Sequence, residues 1–212
     1  HSGISTLYRT CLPDHVAFRG ASLITTAATY ADSDDQYLVA LAVSAQDTAA
    51  FGELIRRHQS QLRNFLRKLS GDFALADDLA QDSFLHAWSK LHTFTGRGSF
   101  IGWLLKIAYT TFLQSRRKSR RFSKVLTDVA YVAETESKSY TKGVDEAPDI
   151  DKLLAVLTVE ERAIFILSYA CELSHREISD ATGLPAGTVK SVIFRSKQKI
   201  RMNFDIKDHK HG

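Results

Sequence analysis

Apolar residues in this chain recur at helical spacing, and no stretch alternates with the two-residue period of a strand. From Ala49 to Leu69 the residues Phe51, Leu54, Ile55, Leu62, Phe65, Leu66 and Leu69 form one buried stripe, with Arg56, Arg57, Arg63 and Lys68 opposite. Gly71 ends this helix and Asp72 is placed to cap the next. That second helix carries Ala76, Leu79, Ala80, Phe84, Leu85, Trp88 and Leu91 inward, and Asp77, Asp78, Gln81 and Asp82 on its other face. A loop from His92 to Gly98 follows. Ser99 then caps a third helix, with Phe100, Trp103, Leu104, Ile107, Ala108 and Leu113 facing the core. At helical spacing with Phe100, Leu104 and Ile107, Trp103 reads as a core residue.

Periodicity is lost from about Phe122 to Pro148, where serines, threonines, a glycine, a proline and acidic residues predict a flexible linker. Beyond it Asp149 is placed to cap a helix through Leu157. Thr158 with Glu161, and then Ser174 with Glu177, repeat the capping-box pattern in which a hydroxyl and a carboxylate satisfy each other's backbone amides. Ile178 and Ala181 mark a short helix, Gly183 a turn, and Pro185 the entry to a last helix holding Val189, Ile193 and Ile200. The expected fold is all-α, two small helical domains joined by a flexible acidic linker. Residues 34–121 form the first domain, 122–148 the linker and 149–203 the second domain, with an extension at 1–33 and a tail at 204–212.

Charge sharpens the division. The 212 residues carry a formal net charge of only +4, but Arg116, Arg117, Lys118, Arg120, Arg121 and Lys124 form one dense cationic block. Asp128 to Asp151 holds Glu134, Glu136, Asp145, Glu146, Asp149 and Asp151 against Lys138 and Lys142. Cys11 and Cys171 have no metal-ligand spacing, form no disulfide framework and lack neighbours that would activate a thiolate. Residues 22–29 are too short and too rich in hydroxyls for a membrane span. There is no glycine-rich phosphate loop, nucleophile elbow or Cys/His cluster, so no catalytic residue, metal or cofactor is expected. His58, His86, His92 and His175 are scattered over different elements, and His209 and His211 lie in the tail.

Leu173 to Arg201 has the helix, glycine turn, helix layout of a helix-turn-helix, whose second helix enters the major groove. With Val189, Ile193 and Ile200 inside, Thr188, Lys190, Ser191, Phe194, Arg195 and Lys197 remain for DNA. A helical hairpin with a solvated basic face has the same pattern. The particular strings narrow the choice. Glu177-Ile178-Ser179, Thr182-Gly183-Leu184-Pro185 and Gly187-Thr188-Val189-Lys190-Ser191 resemble region 4 of the extracytoplasmic-function (ECF) sigma factors of the sigma-70 class, and Leu157 to Tyr169 resembles region 4.1. Ala50-Phe51-Gly52-Glu53-Leu54, Asp77-Asp78-Leu79-Ala80-Gln81-Asp82-Ser83-Phe84 and Trp103-Leu104-Leu105-Lys106-Ile107-Ala108 resemble regions 2.1, 2.2 and 2.3.

The resemblance implies a region 2 helical bundle and a region 4 helix-turn-helix, acting together in promoter recognition and opening with core RNA polymerase. It assigns Asp77, Asp78, Gln81, Asp82 and Phe84 to the clamp helices of the polymerase's largest subunit. It assigns Thr188, Lys190, Ser191, Phe194, Arg195 and Lys197 to the −35 element. Phe94, Thr95 and Arg97 would hold a flipped −10 base, with Lys106, Tyr109, Thr110, Gln114, Arg116, Arg117, Lys118, Arg120 and Arg121 along the −10 strand. Thr110 and Gln114 stand where relatives commonly have asparagine and aspartate, and Val192 and Phe194 replace the usual arginine and histidine. By the same resemblance the acidic linker threads the polymerase cleft, and an anti-sigma factor, often membrane-anchored, holds the protein inactive. The expected location is the bacterial cytoplasm, without membrane insertion. Two rivals are a stand-alone helix-turn-helix regulator and a DNA-processing enzyme using Asp77, Asp78 and Asp82. The first does not account for the N-terminal strings, and the second lacks a distant carboxylate or histidine for a two-metal site.

Overall fold

The computed structural model describes residues 30–129 and 149–208, all of whose regular elements are helical. Residues 1–29, including Cys11, most of the expected linker, and the tail histidines lie outside them. The first helix, α1 (Asp35–Ser44), is capped by Asp34, which accepts from the Tyr37 amide at 2.6 Å. It buries Leu38, Val39 and Ala42. The sequence pattern did not mark it, because residues 38–43 are an uninterrupted apolar run with no helical period.

The long helix α2 (Thr48–Ser70) starts at Asp47, whose carboxylate accepts from the amides of Ala49 and Ala50, and ends at Gly71 with φ 71°. A left-handed residue there suits glycine, which has no Cβ to clash. Asp72 caps α3 (Phe73–Lys90) as expected, accepting from Leu75 N at 3.0 Å. A single 3-10 turn, Leu91–Thr93, leads into the loop before α4 (Phe100–Val129). Ser99 Oγ accepts from the Gly102 amide at 3.2 Å, the expected cap. Leu54, Leu62, Phe65, Leu66, Leu104 and Leu105 are fully buried among α2, α3 and α4, and the rings of Phe51 and Trp88 meet at 4.9 Å.

The helix α4 runs past the expected boundary at Arg121 through Val129, so the start of the expected linker is helical backbone. The second half begins with α5 (Asp149–Ala155); Asp149 is its first residue and the helix stops short of Leu157. Both capping boxes form: Thr158 with Glu161 on α6 (Val159–Tyr169), and Ser174 with Glu177 on α7 (His175–Thr182). Gly183, at φ 77°, turns the chain into α8 (Ala186–Asp208). Leu154, Ile164, Leu167, Ile178 and Val189 fill this smaller core.

The described residues from Ser33 onward form one compact unit, in which α4 packs on α7 and α2 on α6. Ser99 Oγ donates to Glu177 Oε1 at 2.6 Å, and Gln61 Nε2 to the Cys171 carbonyl at 3.5 Å. Gly102 sits at this seam: a Cβ there would lie 2.9 Å from Ser99 Oγ, 3.3 Å from Glu177 Oε1 and 3.7 Å from Leu173 Cδ2. The Glu177 carboxyl is held below the usual range, first by the Ser99 hydroxyl and then by its capping bonds to Ser174, against the opposing push of burial. Cys171 is buried, and burial pushes its thiol up to about 12. No helix among the described residues is long and apolar enough to cross a membrane.

Candidate nucleic-acid interface

The turn into α8 is fixed locally. Ser179 Oγ donates to the Leu184 carbonyl at 2.6 Å, and the Val189 amide reaches back to the Pro185 carbonyl at 3.0 Å. With that register set, Val189, Val192, Ile193 and Ser196 face inward. Thr188, Lys190, Ser191, Phe194, Arg195 and Lys197 are all exposed, on two adjoining stripes of the same helix. Val192 is buried, so its substitution for an arginine removes nothing from the outer face as it stands here. Lys199 anchors α8 to α6 through Glu161 at 2.6 Å, and Lys197 Nζ lies 5.0 Å from the Tyr169 ring. Burial raises the Glu161 carboxyl, but the bonds from Lys199 and from the Thr158 cap outweigh it and the net shift is downward.

The first half offers a cavity of about 290 Å³, lined by Gln36, Val39, Ala40 and Val43 of α1 and by His92, Phe94 and Gly96 of the loop. Of the three loop residues expected there, Phe94 lines the cavity; Thr95 and Arg97 are exposed and stand outside its lining. Phe94 is held edge-on to Phe100 at 5.7 Å and beside Trp103 at 5.6 Å, and Gln36 Nε2 donates to the Gly96 carbonyl at 3.4 Å. The α1 wall was invisible in the sequence because α1 itself was.

Along α4, Lys106, Thr110 and Gln114 recur at four-residue spacing and are exposed, as are Arg117, Lys118, Arg120 and Arg121. Two residues expected with them sit differently. Arg116 is half-buried over the Phe112 ring at 5.9 Å, its guanidinium pushed down by burial and by Arg120. Tyr109 is buried, so it is not part of this outer face; burial raises its hydroxyl and the Glu160 carboxylate adds to the effect.

On α3, Asp78, Gln81 and Asp82 are exposed. Asp77 is half-buried, 3.5 Å from Arg67 and 3.9 Å from Arg63. Phe84 is half-buried, whereas Leu85, expected inside, is 57% exposed, three and seven residues from Asp82 and Asp78. Phe73 is also exposed, with the Arg67 guanidinium 5.1 Å from its ring centre. Among the described residues no group of three or more His, Cys, Asp or Glu side chains gathers at metal-binding distance.

A helix-turn-helix with a basic outer face, preceded by a helical half with a second basic helix and an acidic one, defines a DNA-binding transcription protein. Comparison with known proteins makes the class specific. The family model for Sigma-70 region 2 matches residues 54–122, and that for Sigma-70, region 4 matches residues 148–200. The sigma factor NccH of Alcaligenes xylosoxydans xylosoxydans is 30% identical over 164 residues, spanning 73% of this chain and 86% of its own length. The ECF sigma factor RpoE of Cereibacter sphaeroides is 28% identical over 159 residues, 74% of this chain and 88% of that one. Among solved structures, the sigma factor RpoE of Bartonella quintana, in complex with the anti-sigma factor NepR, superposes with a TM-score of 0.61 at 24% identity, covering 74% of this chain and 97% of that one. The chain belongs to the ECF sigma factors of the sigma-70 family.

Proposed function

We propose that this sigma factor docks on core RNA polymerase through the acidic face of α3, reads the −35 element with α8, and holds the opened −10 strand with the 92–98 loop, its cavity and α4. The observation that supports this best is the exposure of all six expected α8 residues on a helix whose other side is packed into the core. In the α3 surface, Asp78, Gln81 and Asp82 beside exposed Leu85 give a polar interface with an apolar anchor, the composition of a reversible protein contact. The cavity under Phe94 would accept an unstacked base by stacking and hydrogen bonding. Strand opening then draws on binding energy, and the chain supplies no catalysis of its own. Two modest sites tied in one chain act at high effective concentration, so the tight complex forms only where polymerase aligns both promoter elements.

By analogy with the Bartonella quintana RpoE crystallised with the anti-sigma factor NepR, an anti-sigma partner would cover the same faces and hold the protein inactive in the cytoplasm, directly or through a membrane anchor. The test is run-off transcription from genomic promoter fragments with purified core polymerase, with and without this chain, followed by mapping of start sites. Defined starts that require the chain are expected. Tight site-specific binding without polymerase and no specific transcript would instead establish a stand-alone regulator, and metal-dependent cutting of DNA without polymerase a nuclease.

A further inference from the structure

Between Arg116 and Arg121 one position is not basic. Ser119 stands in the run Arg116-Arg117-Lys118-Ser119-Arg120-Arg121. Uncharged, and a weaker helix former than its neighbours, it gives less to the helix and to a phosphate grip than a lysine there would. Its side chain is exposed, and no hydrogen bond among the described residues engages its hydroxyl. Thr110 and Thr111 of the same helix, by contrast, donate back to the carbonyls of Lys106 and Ile107.

The helix is weakly held at this point. Phe112 is the last residue of α4 buried among the described side chains, Arg116 is half-buried one turn on, and every residue from Arg117 to Phe122 is exposed. A helical stretch with little tertiary packing is marginal in water below about 12–15 residues, so this one can unwind into the extended form that an enzyme cleft accepts. The charge around the hydroxyl selects the enzyme. Arginines two and three residues before a serine offer guanidinium forks to carboxylates lining such a cleft.

We propose that Ser119 is a phosphorylation site for an arginine-directed serine kinase using ATP, and that the phosphate releases α4 from DNA. The release rests on the reading of α4 along the −10 strand. In the transfer, Ser119 Oγ bonds to the γ-phosphorus of ATP as the bond from that phosphorus to its bridging oxygen breaks. ADP leaves with the electron pair, and the hydroxyl proton passes to the kinase's base. The product carries about −1.5 to −2 charges, one turn from Arg116 and flanked by Lys118 and Arg120. It occupies cations that DNA phosphates would otherwise meet, and it repels the strand itself. Arg120-Arg121-Phe122-Ser123 repeats the spacing, so the acceptor must be mapped.

The test incubates the full chain with ATP and a purified kinase that requires Arg-Arg-X-Ser, then locates the phosphate by peptide mass spectrometry. Holoenzyme is assembled from modified and unmodified chain on a promoter defined by start-site mapping. Phosphate on Ser119 is expected, and none at that position in Ser119→Ala, whose unmodified holoenzyme should bind promoter within about twofold of wild type. Modified holoenzyme should bind at least about tenfold more weakly at roughly 100 mM salt, with the slope of log affinity against log salt lower by about 1–2. No incorporation, or incorporation at Ser123 alone, overturns the site. Phosphate on Ser119 with affinity and slope unchanged overturns the release. A variant with Arg117, Lys118, Arg120 and Arg121 replaced by alanine then separates the causes. If that variant loses slope, the −10 reading of α4 stands and the release alone fails; if its slope is also unchanged, α4 lies off the DNA path and both fail.

Discussion

Glu53 shows how much one side chain can conceal in a sequence. Its carboxylate is 2% exposed and yet charged, bonded by Arg56 through two nitrogens at 2.7 Å and by Arg57 Nε at 2.8 Å. These bonds, Arg56's foremost, hold it down at about 2 against an ordinary value of 4.5, although burial pushes the other way. A carboxylate depressed on folding contributes stability that is complete above about pH 4.5 and is lost as the pH falls toward about 2. Glu53→Gln should therefore destabilise the protein by about 1–3 kcal/mol at neutral pH. In urea midpoints measured from pH 6 down to about pH 2.5, the gap to the wild type should narrow. A gap that stays constant would trace the loss to packing alone. Residues whose roles are set by near neighbours in the chain were legible: Asp72, Thr158, Glu161, Ser174 and Glu177 cap as read, and Gly183 makes the turn. Phe84, Leu85 and Tyr109 were not. Each lies at the edge of an apolar stripe, where the packed partner, absent from a local pattern, decides which side turns inward.

At the level of elements, α2, α3, α4 and α6 to α8 follow from apolar spacing, and two departures have physical causes. The run Leu38 to Val43 has no polar face to give it a period, so α1 becomes a helix through its Asp34 cap and through tertiary ties. Arg57 Nη1 reaches the Ser33 carbonyl at 2.6 Å and Asp35 at 3.1 Å, and His58 pairs with Asp35 at 2.7 Å. The helix α4 outlasts its apolar pattern because nothing from Arg116 to Val129 is glycine or proline, and arginine and lysine are strong helix formers. Its exposed basic stretch makes a prediction about the element as a whole. Replacing Arg117, Lys118, Arg120 and Arg121 by alanine should weaken promoter binding by holoenzyme and reduce the slope of log affinity against log salt by about 3. Fluorescence anisotropy between roughly 50 and 200 mM salt measures this directly. An unchanged slope would remove α4 from the DNA path.

For the molecule as a whole, the order of the two helical halves was readable, but their docking was not. Docking depends on which finished surfaces meet, and no spacing within either half encodes that. The seam offers a direct handle in Gly102, where any added side chain meets Ser99, Glu177 and Leu173. Gly102→Leu should cost about 1–3 kcal/mol through overpacking. It should also increase the radius of gyration in small-angle scattering while helicity by circular dichroism is kept. An unchanged radius would mean that the seam absorbs the side chain without parting. Glu177 shows why parting is feasible. One oxygen closes its own helix cap with Ser174 while the other accepts from Ser99, and Ser99 in turn serves Gly102 of its own helix. When the shared bond breaks, each half keeps its private bonds, and the two released groups, both only half-buried, pass to water. At this bond, then, the halves meet as two finished surfaces, and water can take it over without unfolding either of them.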